Sequence, residues 1–289
     1  MDNYKPEIKL IKIGRQEFRT ARWEGDPKVR PLLFFNGIGA NLELVVSLAR
    51  RLNRSRDVVA FDPPGIGGSP DARFPYRISS LAKSAARILD EMGYTTVDVY
   101  GVSWGGGLAQ QFAFQYAKRV RCMVLAATSA GMVAVPGHIS ALSKMVNPLR
   151  YTDPDYLHNN FETLYGKISE DKMLKHSMRI SPPTKKGYLF QLMAMAGWTS
   201  APFLPFLSQP TLILAGDEDK IVPLANAQIL KTLIRNSRLQ VIKGAGHLFF
   251  VSRADEKVPM IRNFLRQHKV RRNEVQAKSK LTGQMILSR

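Results

Sequence analysis

Residues 99–107 read V-Y-G-V-S-W-G-G-G, one serine among four glycines, with the apolar run Val97-Asp-Val-Tyr100 leading in and L-A-Q-Q-F-A-F leading out. Glycine loses more conformational freedom on folding than any other residue, so such a cluster needs a structural reason. Gly101-Val-Ser-Trp-Gly105 has the spacing Gly-x-Ser-x-Gly, and the flanking patterns predict a strand before it and a helix, Leu108 to Tyr116, after it. A sharp strand-to-helix turn lifts a serine hydroxyl clear of a sheet. Small residues two places away on each side let neighbouring backbone come close. Ser103 is therefore a candidate nucleophile.

Working outward, apolar runs recur with helical stretches between them. That is the pattern of a mostly parallel sheet covered by helices on both faces. Pro31 to Phe35 ends at Asn36-Gly37, and Asp57 to Phe61 ends at Asp62-Pro-Pro-Gly65. Both read as buried strands closed by turns. Residues 79–92 put Leu81, Ala85, Ile88, Leu89 and Met92 on one helical face, with Gly93 as its C-cap. Further strands are expected at Cys122 to Ala127, Thr211 to Ala215 and Leu239 to Ile242, and helices at 224–235 and 257–267. Ile8 to Ile13 and Glu17 to Trp23 fit an antiparallel edge hairpin. Between about residues 131 and 205 the strand rhythm stops, and Met, Pro, Tyr and helical patches take over. The expectation is a core of residues 1–130 and 206–268, a helical cap of 131–205, and a flexible basic tail of 269–289.

A serine hydroxyl attacks poorly unless a base takes its proton and an acid orients that base. Of five histidines, His138, His158 and His176 fall in the insertion and His268 in the basic tail. His247 alone sits at a strand exit among glycines, in Gly244-Ala-Gly-His-Leu-Phe-Phe250, and is the candidate base. For the acid, Gly216-Asp-Glu-Asp-Lys-Ile-Val-Pro223 offers Asp219, with Asp217 and Glu218 as alternatives. An oxyanion hole would take one N–H from Trp104 and one from Ile38, in the turn F-N-G-I-G-A-N that Asn36 could brace. Asp62-Pro-Pro-Gly-Ile-Gly-Gly-Ser69 lacks the Gly-Lys-Ser/Thr of a phosphate loop, so it reads as a turn shaping the floor of the site. No metal site and no cofactor are expected.

The composition, 45% hydrophobic and 22% charged, is that of a globular protein. With one cysteine, Cys122, an internal disulfide is impossible. Neither a signal-like start nor a run of about 18 apolar residues is present, so a cytoplasmic protein without a membrane span is expected. A net charge of +19 speaks to encounter with anionic surfaces and not to fold. It is densest at Arg262, Arg266, Lys269, Arg271, Arg272, Lys278 and Lys280. No nucleic-acid-binding motif accompanies it, so no nucleic-acid partner is expected.

Taken together, the chain up to about residue 268 resembles the α/β-hydrolase superfamily. Within it, F-N-G-I-G-A-N-L-E-L-V (35–45), G-V-S-W-G-G-G-L-A-Q-Q-F-A (101–113), V-L-A-A-T-S-A-G (124–131), V-P-G (135–137), G-W-T-S (197–200) and L-A-G-D-E-D (214–219) resemble the intracellular depolymerases of medium-chain-length poly(3-hydroxyalkanoates). The resemblance implies hydrolysis of a storage polyester to 3-hydroxy acids, with nucleophile, acid and base at Ser103, Asp219 and His247. It makes an apolar ester or polyester the expected substrate and a storage-granule surface a candidate partner.

The insertion is rich in Met and aromatic residues able to line a channel for alkyl chains: Met132, Met145, Met173, Met178, Met193, Met195, Phe161, Phe190 and Trp198. Trp198 and Met193, with Phe249 beside the histidine, are the expected substrate contacts. The same triad would serve a general carboxylesterase or a C–C bond hydrolase, and a catalytically silent binding protein of this fold is a further alternative.

Overall fold

Leu32-Leu33-Phe34-Phe35 and Val58-Val59-Ala60-Phe61 contain no polar residue, so strands built from them must be covered on both faces. The computed structural model describes residues 5–52, 55–147, 149–166 and 181–267 and has that construction. Its elements up to the middle of the sheet are β1 (Glu7–Ile13), β2 (Gln16–Trp23), β3 (Leu32–Phe35), α1 (Val46–Leu52), β4 (Val58–Phe61), α2 (Ile78–Glu91), β5 (Val97–Val102), α3 (Trp104–Gln115) and β6 (Val120–Ala126). There follow α4 (Ile139–Val146), α5 (Leu149–Thr152), α6 (Pro154–Tyr165), α7 (Lys185–Met195), β7 (Thr211–Gly216), α8 (Leu224–Leu233), β8 (Ser237–Ile242), α9 (Phe249–Ser252) and α10 (Ala254–Gln267). The expected Met173, Met178, His176 and His268, and the tail 269–289, lie outside the described residues.

Eight strands form one sheet in the order β1-β2-β4-β3-β5-β6-β7-β8. β1, β2 and β4 pair antiparallel, and every pairing from β4 through to β8 is parallel. The two-residue period of a strand divides the core. Leu33, Phe35, Val99, Leu125 and Ile213 pack with α2, α3 and α8, while Leu32, Phe34, Tyr100, Val124 and Leu214 pack with α1 and α10. A third apolar cluster joins α4 and α6 to Ile221 and Leu248, over the carboxyl ends of the strands.

Several boundaries differ from the pattern in the sequence, most of all at the serine turn. Strand β5 runs on to Val102, and α3 begins at Trp104 and not at Leu108. Glycine at 105–107 argues against helix on propensity, but close tertiary packing decides the matter. A Cβ on Gly105 would sit 2.3 Å from the Phe35 carbonyl oxygen, and one on Gly101 would sit 2.5 Å from that of Gly105. Only glycine lets α3 start this close to β3 and β5.

The segment between β6 and β7 leaves and rejoins the sheet through one neck. Gly131 and Thr199 form an antiparallel bridge, Met132 N–H donates to the Trp198 carbonyl at 2.9 Å, and Ser200 N–H donates to the Ala130 carbonyl at 3.0 Å. Ser200 Oγ also donates to Gln110 Oε1 of α3 at 2.6 Å, fastening the neck to the core. Among the described residues no helix is long and apolar enough to cross a membrane.

One buried charge cluster sits under the sheet. Asp98, fully buried in β5, accepts from Arg56 and from Arg121, whose Nε lies 2.7 Å from Asp98 Oδ1. Cys122 Sγ lies 3.2 Å from the same oxygen, and burial pushes its thiol well above the usual cysteine value, so it is an inert core thiol. Removing the carboxylate strands two buried cations. Asp98→Ala is expected to cost about 3–5 kcal/mol of unfolding free energy, read from the urea midpoint.

Candidate active site

The turn at residues 102–104 is where the glycine cluster does its structural job. Ser103 holds φ 53° and ψ −121°, outside the regions open to ordinary side chains, at the N-terminus of α3. Its N–H donates to the Ala126 carbonyl at 2.9 Å, and its own carbonyl accepts from Gly106 N–H at 2.8 Å and Thr128 Oγ1 at 2.7 Å. Backbone on both sides is thus pinned while Oγ projects from the carboxyl edge of the sheet.

The structure brings Ser103, His247 and Asp219 into one hydrogen-bonded line. His247 Nε2 lies 3.1 Å from Ser103 Oγ, and His247 Nδ1 lies 2.7 Å from Asp219 Oδ2. Histidine and aspartate are 4% and 5% exposed, so both are shielded from bulk water. Asp219 Oδ1 accepts from the N–H groups of Ile221 and Val222, each at 2.9 Å, which fixes the carboxylate plane. With Nδ1–H directed at Asp219, Nε2 is left to accept a proton from the serine.

Of the alternative acids, Asp217 has its carboxylate engaged elsewhere, and Glu218 is bonded through its backbone to the loop after β8. Asp217 Oδ1 accepts from Gly244 N–H at 2.7 Å, and Glu218 N–H donates to the Ala245 carbonyl at 3.1 Å. These bonds lace the loop after β7 to the loop after β8. They bring His247 to Asp219.

The turn after β3 lies against the nucleophile, where a Cβ on Gly37 would be 3.7 Å from Ser103 Cβ. Asn36 braces it: Nδ2 donates to the Asn41 carbonyl at 2.8 Å, and Oδ1 accepts from Gly37 N–H at 3.2 Å. The peptide between Ile38 and Gly39 is held from both sides. Tyr151 Oη donates to the Ile38 carbonyl at 2.7 Å, and Gly39 N–H donates to Gln191 Oε1 at 2.8 Å. Burial pushes the Tyr151 hydroxyl above the ordinary tyrosine value, so it acts as a neutral donor.

Gln191, fully buried in α7, carries a second bond, from Trp104 Nε1 to its carbonyl at 2.9 Å. One residue of the inserted segment therefore ties together the two turns that contain Ile38 and Trp104. Sequence reasoning missed Gln191, Tyr151 and Arg150, since no local pattern marks them.

Beside Ser103 and His247 opens a cavity of about 840 Å³, counted out to solvent at its mouth. Its apolar wall includes Ile38, Leu44, Leu48, Met145, Leu248 and Phe250. None of Trp198, Met193 and Phe249 lines it, which corrects the sequence expectation, and the reasons differ. Phe249 is fully buried in the core beneath, and its neighbours Leu248 and Phe250 face the cavity instead. Met193 is exposed, because two residues along a helix turn it about 200° away from the inward Gln191. Trp198 belongs to the neck, donating to Gln111 Oε1 at 2.8 Å and packing over Gly107.

The loop of residues 62–69 supports this arrangement from below. Buried Asp62 accepts from Leu42 N–H at 2.8 Å through Oδ1, and from Gly68 N–H and Arg19 Nη1 at 3.2 Å each through Oδ2. The Gly65 carbonyl accepts from Thr184 N–H at the start of α7. Floor and inserted helix are thereby joined.

Three comparisons bear on this site. The family model described as the alpha/beta hydrolase fold matches residues 30–254. The chain is 45% identical over 267 residues to a poly(3-hydroxyalkanoate) depolymerase of Ectopseudomonas oleovorans, covering 91% of this chain and 94% of that protein. It is 27% identical to a pimeloyl-[acyl-carrier protein] methyl ester esterase of Neisseria meningitidis, with 82% and 94% covered. Among solved structures, an esterase from Exiguobacterium antarcticum superposes with a TM-score of 0.78 at 18% identity, covering 89% of this chain and 98% of that one.

Asp62 yields a measurable expectation. Burial pushes its carboxyl up to about 6, against the opposing pull of Gly68 N–H and Arg19. A carboxyl that binds its proton more tightly when folded stabilises the protein fully below its unfolded value of about 4 and loses that contribution as pH rises to about 6. Carboxyl NMR should find Asp62 titrating near pH 6. In Asp62→Asn, the part of the stability profile that falls between about pH 4 and 6 should flatten.

Proposed function

From the premise that this chain belongs to the alpha/beta hydrolase fold family and is an ester hydrolase, we propose that it cleaves a poly(3-hydroxyalkanoate) through an acyl-enzyme on Ser103. The observation that carries the reading is the line Ser103 Oγ, His247, Asp219 at 3.1 and 2.7 Å, opening on an apolar cavity. The substrate class comes from the relative of 45% identity.

In the proposed reaction His247 Nε2 takes the Ser103 proton as Oγ bonds to the ester carbonyl carbon. The N–H groups of Ile38 and Trp104 receive the oxyanion, and each such donor is worth about 2.7–4 kcal/mol in the transition state. His247 then gives its proton to the departing alkoxide. A water, deprotonated by His247, attacks the acyl-enzyme and releases the acid, restoring Ser103. Asp219 stays ionised and stabilises the imidazolium throughout. Residues 131–205 act as the cap on a core of 1–130 and 206–268, and Gln191 acts as the cap's hold on the oxyanion turns.

The finer partner and location of this reading are a storage granule inside the cell, with no nucleic acid bound. The net charge of +19 supports attraction to an anionic granule coat. The inserted segment also exposes Met132, Val133, Ile139 and Val146, apolar side chains suited to contact with such a coat.

Ser103→Ala should abolish labelling by a fluorophosphonate probe and clearing of a medium-chain polyester suspension while the thermal transition is kept. Strong turnover of p-nitrophenyl acetate without clearing of medium- or short-chain polyester would instead identify a small-ester carboxylesterase. Gln191→Leu should lower kcat roughly 10- to 100-fold by loosening the oxyanion turns. Binding to isolated granules should weaken as salt rises from roughly 0.05 M to 1 M, where the screening length falls to about 3 Å. Salt-independent binding would remove the electrostatic part of the reading.

A further inference from the structure

Arg150 in α5 is 3% exposed and lines the same cavity as Ser103. Its guanidinium donates to Tyr165 Oη at 2.9 Å, to Tyr188 Oη at 3.2 Å and to Tyr151 Oη, and it lies 4.2 Å from the centroid of the Tyr151 ring. The hydroxyl hydrogens of Tyr151 and Tyr188 point away, to the carbonyls of Ile38 and Met145 at 2.7 and 2.9 Å. Both oxygens therefore face the guanidinium as acceptors. A guanidinium has five N–H donors; three are used here, and the buried Nε has no acceptor among the described residues.

Arg150 differs from the other deeply buried cations. Arg56 and Arg121 share Asp98, and Lys257 meets Glu256. Among the described residues no carboxylate forms an ion pair with Arg150. Three neutral phenols and a ring face soften the desolvation of a guanidinium but do not neutralise it. The cavity wall around it is otherwise largely apolar, so an anionic group entering the cavity would meet a buried cation there.

We propose that Arg150, within its tyrosine cage, is the subsite for the free carboxylate of the substrate chain. This rests on the polyester reading above. A 3-hydroxyalkanoate chain carries one carboxylate, at the end lying on the alcohol side of every ester bond in it. A chain whose carboxylate sits at Arg150 and whose ester carbonyl sits at Ser103 is therefore cut so that the terminal portion leaves as the alcohol. Ser103 Oγ bonds to the acyl carbon, the carbon–oxygen ester bond breaks, and the departing alkoxide takes the His247 proton to become a free hydroxy acid. Hydrolysis of the acyl-enzyme then creates a new carboxylate end on the shortened chain. The enzyme works from carboxyl ends inward, and its hydroxy-acid product competes for Arg150.

The test compares the dimer of 3-hydroxyoctanoic acid as free acid with the same dimer capped as its methyl ester, in the wild type, Arg150→Lys and Arg150→Met. The wild type should prefer the free acid by roughly 10- to 100-fold in kcat/KM, the scale of one or two hydrogen bonds to a charged group. That ratio should fall to about one in Arg150→Met and stay above it in Arg150→Lys. Taking the ratio within each variant cancels any general loss of activity. In parallel, Ser103→Ala titrated calorimetrically with 3-hydroxyoctanoate should bind it more tightly than methyl 3-hydroxyoctanoate, and adding Arg150→Met should erase the difference. A wild type that treats acid and methyl ester alike, or a ratio that survives Arg150→Met, overturns the inference. Should Arg150→Met not fold, a wild-type preference that Arg150→Lys retains supports it, and absence of any wild-type preference defeats it. Failure of every ester, p-nitrophenyl esters included, would count against the hydrolase reading alone, since the calorimetry decides Arg150 without turnover.

Discussion

A serine held at φ 53° is the constraint around which the molecule is organised. That backbone conformation costs on the order of 1–3 kcal/mol for a residue with a side chain, and it persists only where neighbours over-determine it. Here strand β6 takes the serine N–H, Thr128 and Gly106 take its carbonyl, and two glycines allow β3 and α3 to close around it. Relaxing any of these would let Oγ sink back towards the sheet. The buried strands β3 and β6, which place Phe35 and Ala126 on either side of the turn, are what the geometry of one hydroxyl rests upon.

A second layer of order comes from loops that hold one another. The loop after β7 would not by itself aim Asp219, nor the loop after β8 aim His247. Asp217 on Gly244 and Glu218 on Ala245 make the two a single unit. Gln191 performs a comparable service on the opposite flank, joining the turn after β3 to Trp104 at the head of α3. Helix α7 is in this sense built into the turns beside Ser103 and does not merely lie over them.

How much of this can be read from the chain alone follows the range of the interactions. Ser103 and His247 stand in local contexts, a strand running into a glycine turn, and the sheet announces itself through runs with no polar residue. The choice among Asp217, Glu218 and Asp219 was narrowed but not closed by local pattern, because it turns on which carboxylate the other loop occupies. Gln191 bonds to residues 152 and 87 positions away, and no spacing rule reaches that far. Phe249 shows the other limit: apolar character was legible, but a one-residue difference of phase sends Phe249 into the core and Phe250 to the cavity. The α3 start was obscured for the converse reason, since glycine propensity points away from helix and tertiary contact overrules it.

The neck at Gly131 and Thr199 gives the inserted segment the character of a cassette. Its two ends meet at one bridge, so the entropy of closing the excursion is settled there, and lengthening it further changes that cost only logarithmically. Sequence between the ends can drift, grow or be exchanged without disturbing the register of β6 and β7, provided a residue such as Gln191 still reaches the two turns. A core of this kind can thus take a different excursion between β6 and β7 while the arrangement around Ser103 keeps its geometry.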